Sequence, residues 1–304
     1  MSSPRPGWEK RSIFYVPTTL DRVPDHSVES TEWFYNSFVI GLVKLMMRGQ
    51  GLKINLEGAE NIPLDGPALL AANHTGYFDF IYAGAMPHVR GRRLVRFMAK
   101  KEIFDIPIVG KLVRMMNHIA VDRSAGASSL VEAVKSLTDG NLVGIFPEGT
   151  ISMSFEVKEL KTGAARIAQE AQVPLIPIAI WGSQRVWTKA LPKHIGRNHY
   201  PLWIRVGKPV STEGTPEEVT KRLRETMVNL LDEVRITYDQ EYGPFEDGLF
   251  WRPVSMGGSA PTPEEASLIE QEIRQRSNAR KAEKKQKSLK TKVSALFTRF
   301  LPRR

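Results

Sequence analysis

The chain has 304 residues, 41% hydrophobic and 25% charged, enough for one large domain or two modest ones with a buried core. It contains no cysteine, which excludes disulfides, thiolate catalysis and cysteine-ligated zinc and fits a cytosolic compartment. The formal net charge of +10 lies in residues 271–304, which hold twelve Lys/Arg against two Asp/Glu; the remainder is balanced at 31 of each sign. A neutral folded part argues against nucleic acid as a partner, and a basic tail suits an anionic membrane surface.

In chain order, residues 1–30 are polar and contain prolines; they are expected to be irregular, without the apolar core of a secretory signal. The run "WFYNSFVIGLVKLMM" (33–47) follows. It is too short to span a bilayer, and Lys44 interrupts it. The spacing predicts a helix over 32–48, with Trp33, Phe34, Phe38, Leu42 and Leu45 within reach of one face. Such a helix either docks on lipid or packs in a core. Seven apolar runs are predicted strands: 52–58, 67–73, 93–99, 118–123, 142–148, 174–180 and 202–208. Helical segments are expected between and after them, at 78–86, 108–116, 126–138, 160–171 and 216–238.

Several of these strands are apolar throughout rather than alternating, as expected of strands covered on both faces. The β–α alternation predicts an α/β fold with a largely parallel central sheet of about seven strands flanked by helices. The apolar N-terminal helix would precede it and a basic helical tail follow. Residues 243–262 are rich in Gly and Pro and read as a loop or linker. The expected organisation is therefore 1–50 as an N-terminal segment, 51–242 as the catalytic domain and 243–304 as linker and tail.

Two short stretches carry chemistry. In "PALLAANHTGYFDFIYAGAM" (67–86), His74 and Asp79 are five positions apart, which on one helix would point them well away from each other. They meet if His74 lies in the loop after a strand and Asp79 in the first turn of the next helix. The carboxyl end of a strand in an open α/β sheet is where ligands bind. An aspartate there can orient an imidazole, whose free nitrogen takes a proton from a hydroxyl. The competing reading makes His74 a turn residue and Asp79 a helix cap. In "FPEGT" (146–150) a second strand delivers Glu148 to its end; an ordinary turn is the competing reading.

Together these stretches resemble the glycerolipid acyltransferase family, whose best-known members are the 1-acyl-glycerol-3-phosphate acyltransferases. "NHTGYFD" resembles the family's His-x4-Asp motif and "FPEGT" its third motif. "VPLIPIAIWG" (173–182) resembles the proline-containing strand of the fourth, preceded by "ELKTGAARIAQEAQ". The segment "RFMAKKEIFDIPIVGKLVRMMN" also resembles the family, and the likeness spans roughly 52–210. In the second motif, Asn117 and Ala120 replace the usual glycine and aromatic, while Arg123 is kept; Ile151 stands where an arginine is common.

The resemblance implies acyl transfer from a thioester, carried by coenzyme A or acyl carrier protein, to an alcohol, with no further cofactor and no metal. It assigns His74 as base and Asp79 as its orienting group. Arg123, Glu148, Gly149 and Thr150 would hold the acceptor. Asn73 and Gly76 would shape the loop, and Lys100, Lys101 and Lys161 are candidate phosphate contacts. The acceptor most in keeping is lysophosphatidic acid, giving phosphatidic acid in phospholipid biosynthesis. Ile151 keeps open another lysophospholipid or a glycolipid hydroxyl, and a non-catalytic membrane-binding protein is the alternative of another class. The implied location is the cytoplasmic face of a membrane, peripheral or monotopic, with the lipid bilayer as partner.

Overall fold

A computed structural model describes residues 4–122, 128–276 and 278–279. Arg123, expected at the acceptor, and nearly all of the basic stretch of the tail lie outside the described residues.

The fold is α/β, with a mixed, mostly parallel sheet flanked by helices. Its strands are β1 (Trp8–Arg11), β2 (Phe14–Pro17), β3 (Lys53–Glu57), β4 (Ala68–Ala72), β5 (Val95–Lys100), β6 (Ile119–Val121), β7 (Leu142–Ile145), β8 (Leu175–Trp181) and β9 (Pro201–Val206). They are arranged in the order β1-β2-β3-β9-β8-β4-β7-β5-β6. Seven of them match the seven expected strands. The sheet has nine because residues 8–17, expected to be irregular, form a hairpin on the β3 edge. Its turn is made by Ser12 in a left-handed conformation (φ 60°) rather than by an Asn-Gly or Asp-Gly pair. The pairs β1/β2 and β8/β9 are antiparallel and the others parallel.

The helices are α1 (Ile40–Gln50), α2 (Asp79–Val89), α3 (Lys101–Phe104), α4 (Val109–Met115), α5 (Ser128–Thr138), α6 (Gly163–Ala171), α7 (Pro216–Tyr242) and α8 (residues 263–276). A wide π-helical stretch, Trp33–Val39, leads into α1. Helix α7 starts at a reciprocal cap, where Thr215 and Glu218 satisfy each other's backbone N–H groups and Pro216 fills the first helical position.

Strand β4 shows why the central runs are apolar throughout. Leu69 and Ala71 join a core with α5, α6 and α7, whereas Ala68, Leu70 and Ala72 join a second core with α1 and α2 on the opposite face. Each fully buried Leu or Ile side chain contributes ~1.5–3 kcal/mol, which fixes β4 in the middle of the molecule. The 243–262 segment is a loop that packs on the first core. Trp251 and Arg252 are buried, and Arg252 donates both terminal nitrogens to the Asp239 carboxylate at 2.8 and 2.7 Å.

Among the described residues no helix is long and apolar enough to cross a membrane. The 33–50 segment nevertheless leaves Trp33, Phe38, Leu42 and Leu45 exposed. Lys44, the charge that interrupts its sequence, turns inward and lies 2.7 Å from His88 Nε2 on α2. Burial lowers both groups, His88 to about 3, so Lys44 donates to a neutral imidazole.

Candidate active site

Because β4, β7 and β5 run parallel and adjacent, their carboxyl ends open on one rim of the sheet. Ala71 pairs with Ile145, so His74 and Glu148 each stand three residues past a matched pair. The register alone brings the two motifs level.

His74 lies in the loop after β4, and Asp79 is the first residue of α2. The His74 Nδ1 to Asp79 Oδ2 distance is 3.0 Å. The same Oδ2 accepts from the backbone N–H groups of Thr75 (2.7 Å) and Gly76 (2.8 Å). Asp79 is fully buried; these three donors stand in for lost water at Oδ2, whereas Oδ1 has no hydrogen-bond partner among the described residues. Asp79 therefore ties down the preceding loop and holds the imidazole at once; the orienting reading of the sequence is realised, whereas α2 has no side-chain cap, so Asp79 is not a helix cap. With Nδ1 held, Nε2 is the ring nitrogen left for a reactant. The imidazole lies flat on Phe146, with ring centroids 4.2 Å apart. Phe146 in turn stacks on Phe97 at 6.1 Å.

Glu148 is buried beneath this loop. Its Oε1 accepts from the His74 N–H at 2.8 Å, and its Oε2 from the Lys158 N–H at 3.3 Å. Burial pushes its carboxyl up to about 8, against which the two backbone donors work only in part. Gly149 follows in a left-handed conformation (φ 74°) that suits glycine. The exposed Lys161 side chain passes over it, with Cε 3.3 Å from where a Cβ would stand. Thr150 is half-buried, and Ile151 points into the core, so position 151 offers no cation to a phosphate.

Asn73 spends its amide on β8, donating to the Ile180 carbonyl (3.1 Å) and accepting from the Ile180 N–H (2.7 Å). Gly76 fits against the next segment: a Cβ there would lie 3.0 Å from Ser183 Oγ and 3.1 Å from the Trp187 carbonyl. Lys100 ends β5, two strands from β4, and Lys101 opens α3 and pairs with Asp122 at 3.1 Å. The structure thus gathers His74, Asp79, Glu148, Gly149 and Lys161 at one rim and places Lys100 and Lys101 toward its edge.

Several contributors are not legible as motifs. Ser152 N–H donates to the His74 carbonyl (2.7 Å), and Thr188 Oγ1 to the Thr75 carbonyl (2.6 Å). Tyr77 N–H donates to the Trp187 carbonyl, and the Tyr77 and Trp187 rings lie 4.5 Å apart. The loop after β4 is therefore gripped on both sides through its backbone groups, by contacts that no short motif marks.

Residues 53–181 match the family model described as Acyltransferase, and the chain belongs to the acyltransferase family. It is 37% identical over 143 residues to the 1-acyl-sn-glycerol-3-phosphate acyltransferase of Bacillus subtilis, covering 46% of this chain and 67% of that one. A similarly named protein of Borreliella burgdorferi is 28% identical over 204 residues, covering 64% and 78%. The crystal structure of the 1-acyl-sn-glycerophosphate (LPA) acyltransferase PlsC from Thermotoga maritima resembles this fold with a TM-score of 0.54 at 26% identity, covering 66% of this chain and 81% of that one.

Proposed function

We propose that the protein transfers a fatty acyl group from a thioester to the hydroxyl of lysophosphatidic acid, forming phosphatidic acid. The observation that carries the reading is the His74–Asp79 contact of 3.0 Å at the open rim of a parallel sheet. The relatives named for this activity support the choice of acceptor.

His74 Nε2 takes the proton of the acceptor hydroxyl as that oxygen attacks the thioester carbonyl. The tetrahedral intermediate then expels the thiolate, which receives the same proton from the imidazolium. The C–O bond forms and the C–S bond breaks with no covalent enzyme species. Asp79 stabilises the imidazolium between the two proton transfers. Phe146 presents its ring face to the same cation. Glu148 acts by holding the His74 backbone, and Lys161, beside Gly149, and Arg123 are the cations assigned to phosphate. A donor on coenzyme A and one on acyl carrier protein suit this chemistry equally.

The lipid acceptor and the product partition into bilayers. We assign the exposed face of the 33–50 segment as the lipid contact, because turning Lys44 inward leaves Trp33, Phe38, Leu42 and Leu45 with no charge among them. On this reading the protein is peripheral or monotopic on a membrane surface. A second reading, another lysophospholipid or a glycolipid as acceptor, draws on the buried Ile151. The test is an acceptor panel with one labelled acyl thioester. Acylation of lysophosphatidic acid is expected, and it is expected to vanish in His74→Ala. Transfer confined to other acceptors would replace the first reading with the second, and full activity of folded His74→Ala would overturn both.

A further inference from the structure

Helix α8 lies outside the matched family segment, yet it reaches the back of the site. It is a built helix. Thr262 N–H donates to the Glu265 carboxylate at 2.9 Å, Glu265 N–H donates to Thr262 Oγ1 at 3.2 Å, and Ala266 is buried. One turn after Ala266, Glu270 carries an acid into a mostly buried position between two lysines. It forms an ion pair with Lys158, and its Oε1 lies 3.7 Å from Lys189 Nζ. All three side chains are less than a third exposed, at 17%, 28% and 20%, so this is not a solvated surface pair. Among the described residues Oε1 is buried without a hydrogen bond, which leaves its charge directed at Lys189.

The two lysines belong to the two segments that grip the reacting loop. Lys158 gives its backbone N–H to Glu148, which holds the His74 N–H. Lys189 directly follows Thr188, whose hydroxyl holds the Thr75 carbonyl. Resting on the acyl-transfer reading above, we infer that Glu270 is a positioning residue: it ties the 152–158 loop to the 183–189 segment and thereby fixes the His74–Asp79 loop between them. Glu270 acts only through these loops and touches no reacting atom. Reaction geometry tolerates little drift, since a shift of about 1 Å can cost on the order of a hundredfold in rate.

The test uses the full chain with an acyl-coenzyme A and lysophosphatidic acid. Glu270→Gln is expected to lower kcat on the order of tenfold, with KM for both substrates within about twofold. Glu270→Asp is expected to restore part of the rate. Adding Lys189→Met to Glu270→Gln is expected to cost nothing further, because the tie is already cut. In protein carrying 15N-histidine, the His74 Nδ1 proton signal is expected to broaden or move in Glu270→Gln. Should Glu270→Gln destabilise the fold, Lys189→Met alone provides the same kcat and spectral readouts. Wild-type kcat and an unmoved His74 signal in folded Glu270→Gln or Lys189→Met would overturn the inference. If His74→Ala is inactive in the same assay, that failure leaves the acyl-transfer reading standing; if His74→Ala is active, the reading itself has failed.

Discussion

Replacing Asp79 by Asn isolates the charge that the fold places beside His74. The amide keeps an oxygen able to accept from Thr75 and Gly76, now held at 2.7 and 2.8 Å, so the turn survives. What disappears is the negative charge on the oxygen 3.0 Å from His74 Nδ1. Unit charges about 4 Å apart attract by ~4 kcal/mol at an effective dielectric of about 20. Asp79 is fully buried, so water screens that attraction little. It operates only while the imidazole holds the acceptor's proton, so the loss falls on the transition state: about a thousandfold in kcat, with KM little changed. The new amide N–H group would replace Asp79 Oδ1, which is buried with no hydrogen-bond partner among the described residues, and would itself be left unpaired at a stability cost of ~1–3 kcal/mol. The assay follows release of the coenzyme A thiol with a thiol reagent, and the chain has no cysteine to contribute a background. Circular dichroism establishes that the variant is folded. A folded Asp79→Asn enzyme retaining more than about a tenth of the wild-type kcat would refute the electrostatic reasoning.

Three further outcomes are expected. Glu148 is raised from 4.5 to about 8, so the native state binds that proton more tightly than the unfolded chain. Its contribution is complete below pH about 4.5 and is lost as pH rises toward about 8, by up to ~1.4 kcal/mol per pH unit; urea melts of Glu148→Gln should show a flatter stability profile across that window. An identical profile would mean that Glu148 does not titrate there. Gly76→Ala drives a methyl group against Ser183 and Trp187 and should cost ~1–3 kcal/mol in melts and most of the activity, and a neutral result would show that the loop has slack. Phe38→Ser combined with Leu42→Ser should weaken sedimentation with phosphatidylcholine vesicles at least about tenfold while leaving the melting temperature in place, since both side chains are more than half exposed at 51% and 59%; unchanged partitioning would put the lipid contact elsewhere.

The legible parts of the molecule are those where one face or two faces of a strand must be buried. The apolar runs of β4 and β8 announce central strands because both their faces meet helices. The His74–Asp79 pairing was legible because strand, turn and helix start follow each other within thirteen residues of sequence, 67–79. The hairpin β1–β2 was not, because its strands are four residues each and its turn lacks glycine or asparagine. The support of Glu148 by backbone N–H groups was equally hidden, since any residue can supply such a donor. The inward turn of Lys44 was hidden as well, because its partner, a neutral His88, lies forty-four residues away in sequence.

The reversal of direction at β9 has a consequence for how this scaffold can change. Because β9 runs antiparallel to β8, the connection at 182–200 departs and returns at a single end of the sheet, the end that carries the imidazole. It never threads past either helical layer. Beyond the 183–189 segment that grips the reacting loop, length and composition can therefore drift in residues 190–200 with no topological penalty, and new substrate preferences can evolve there while the hydrophobic interior stays as it is.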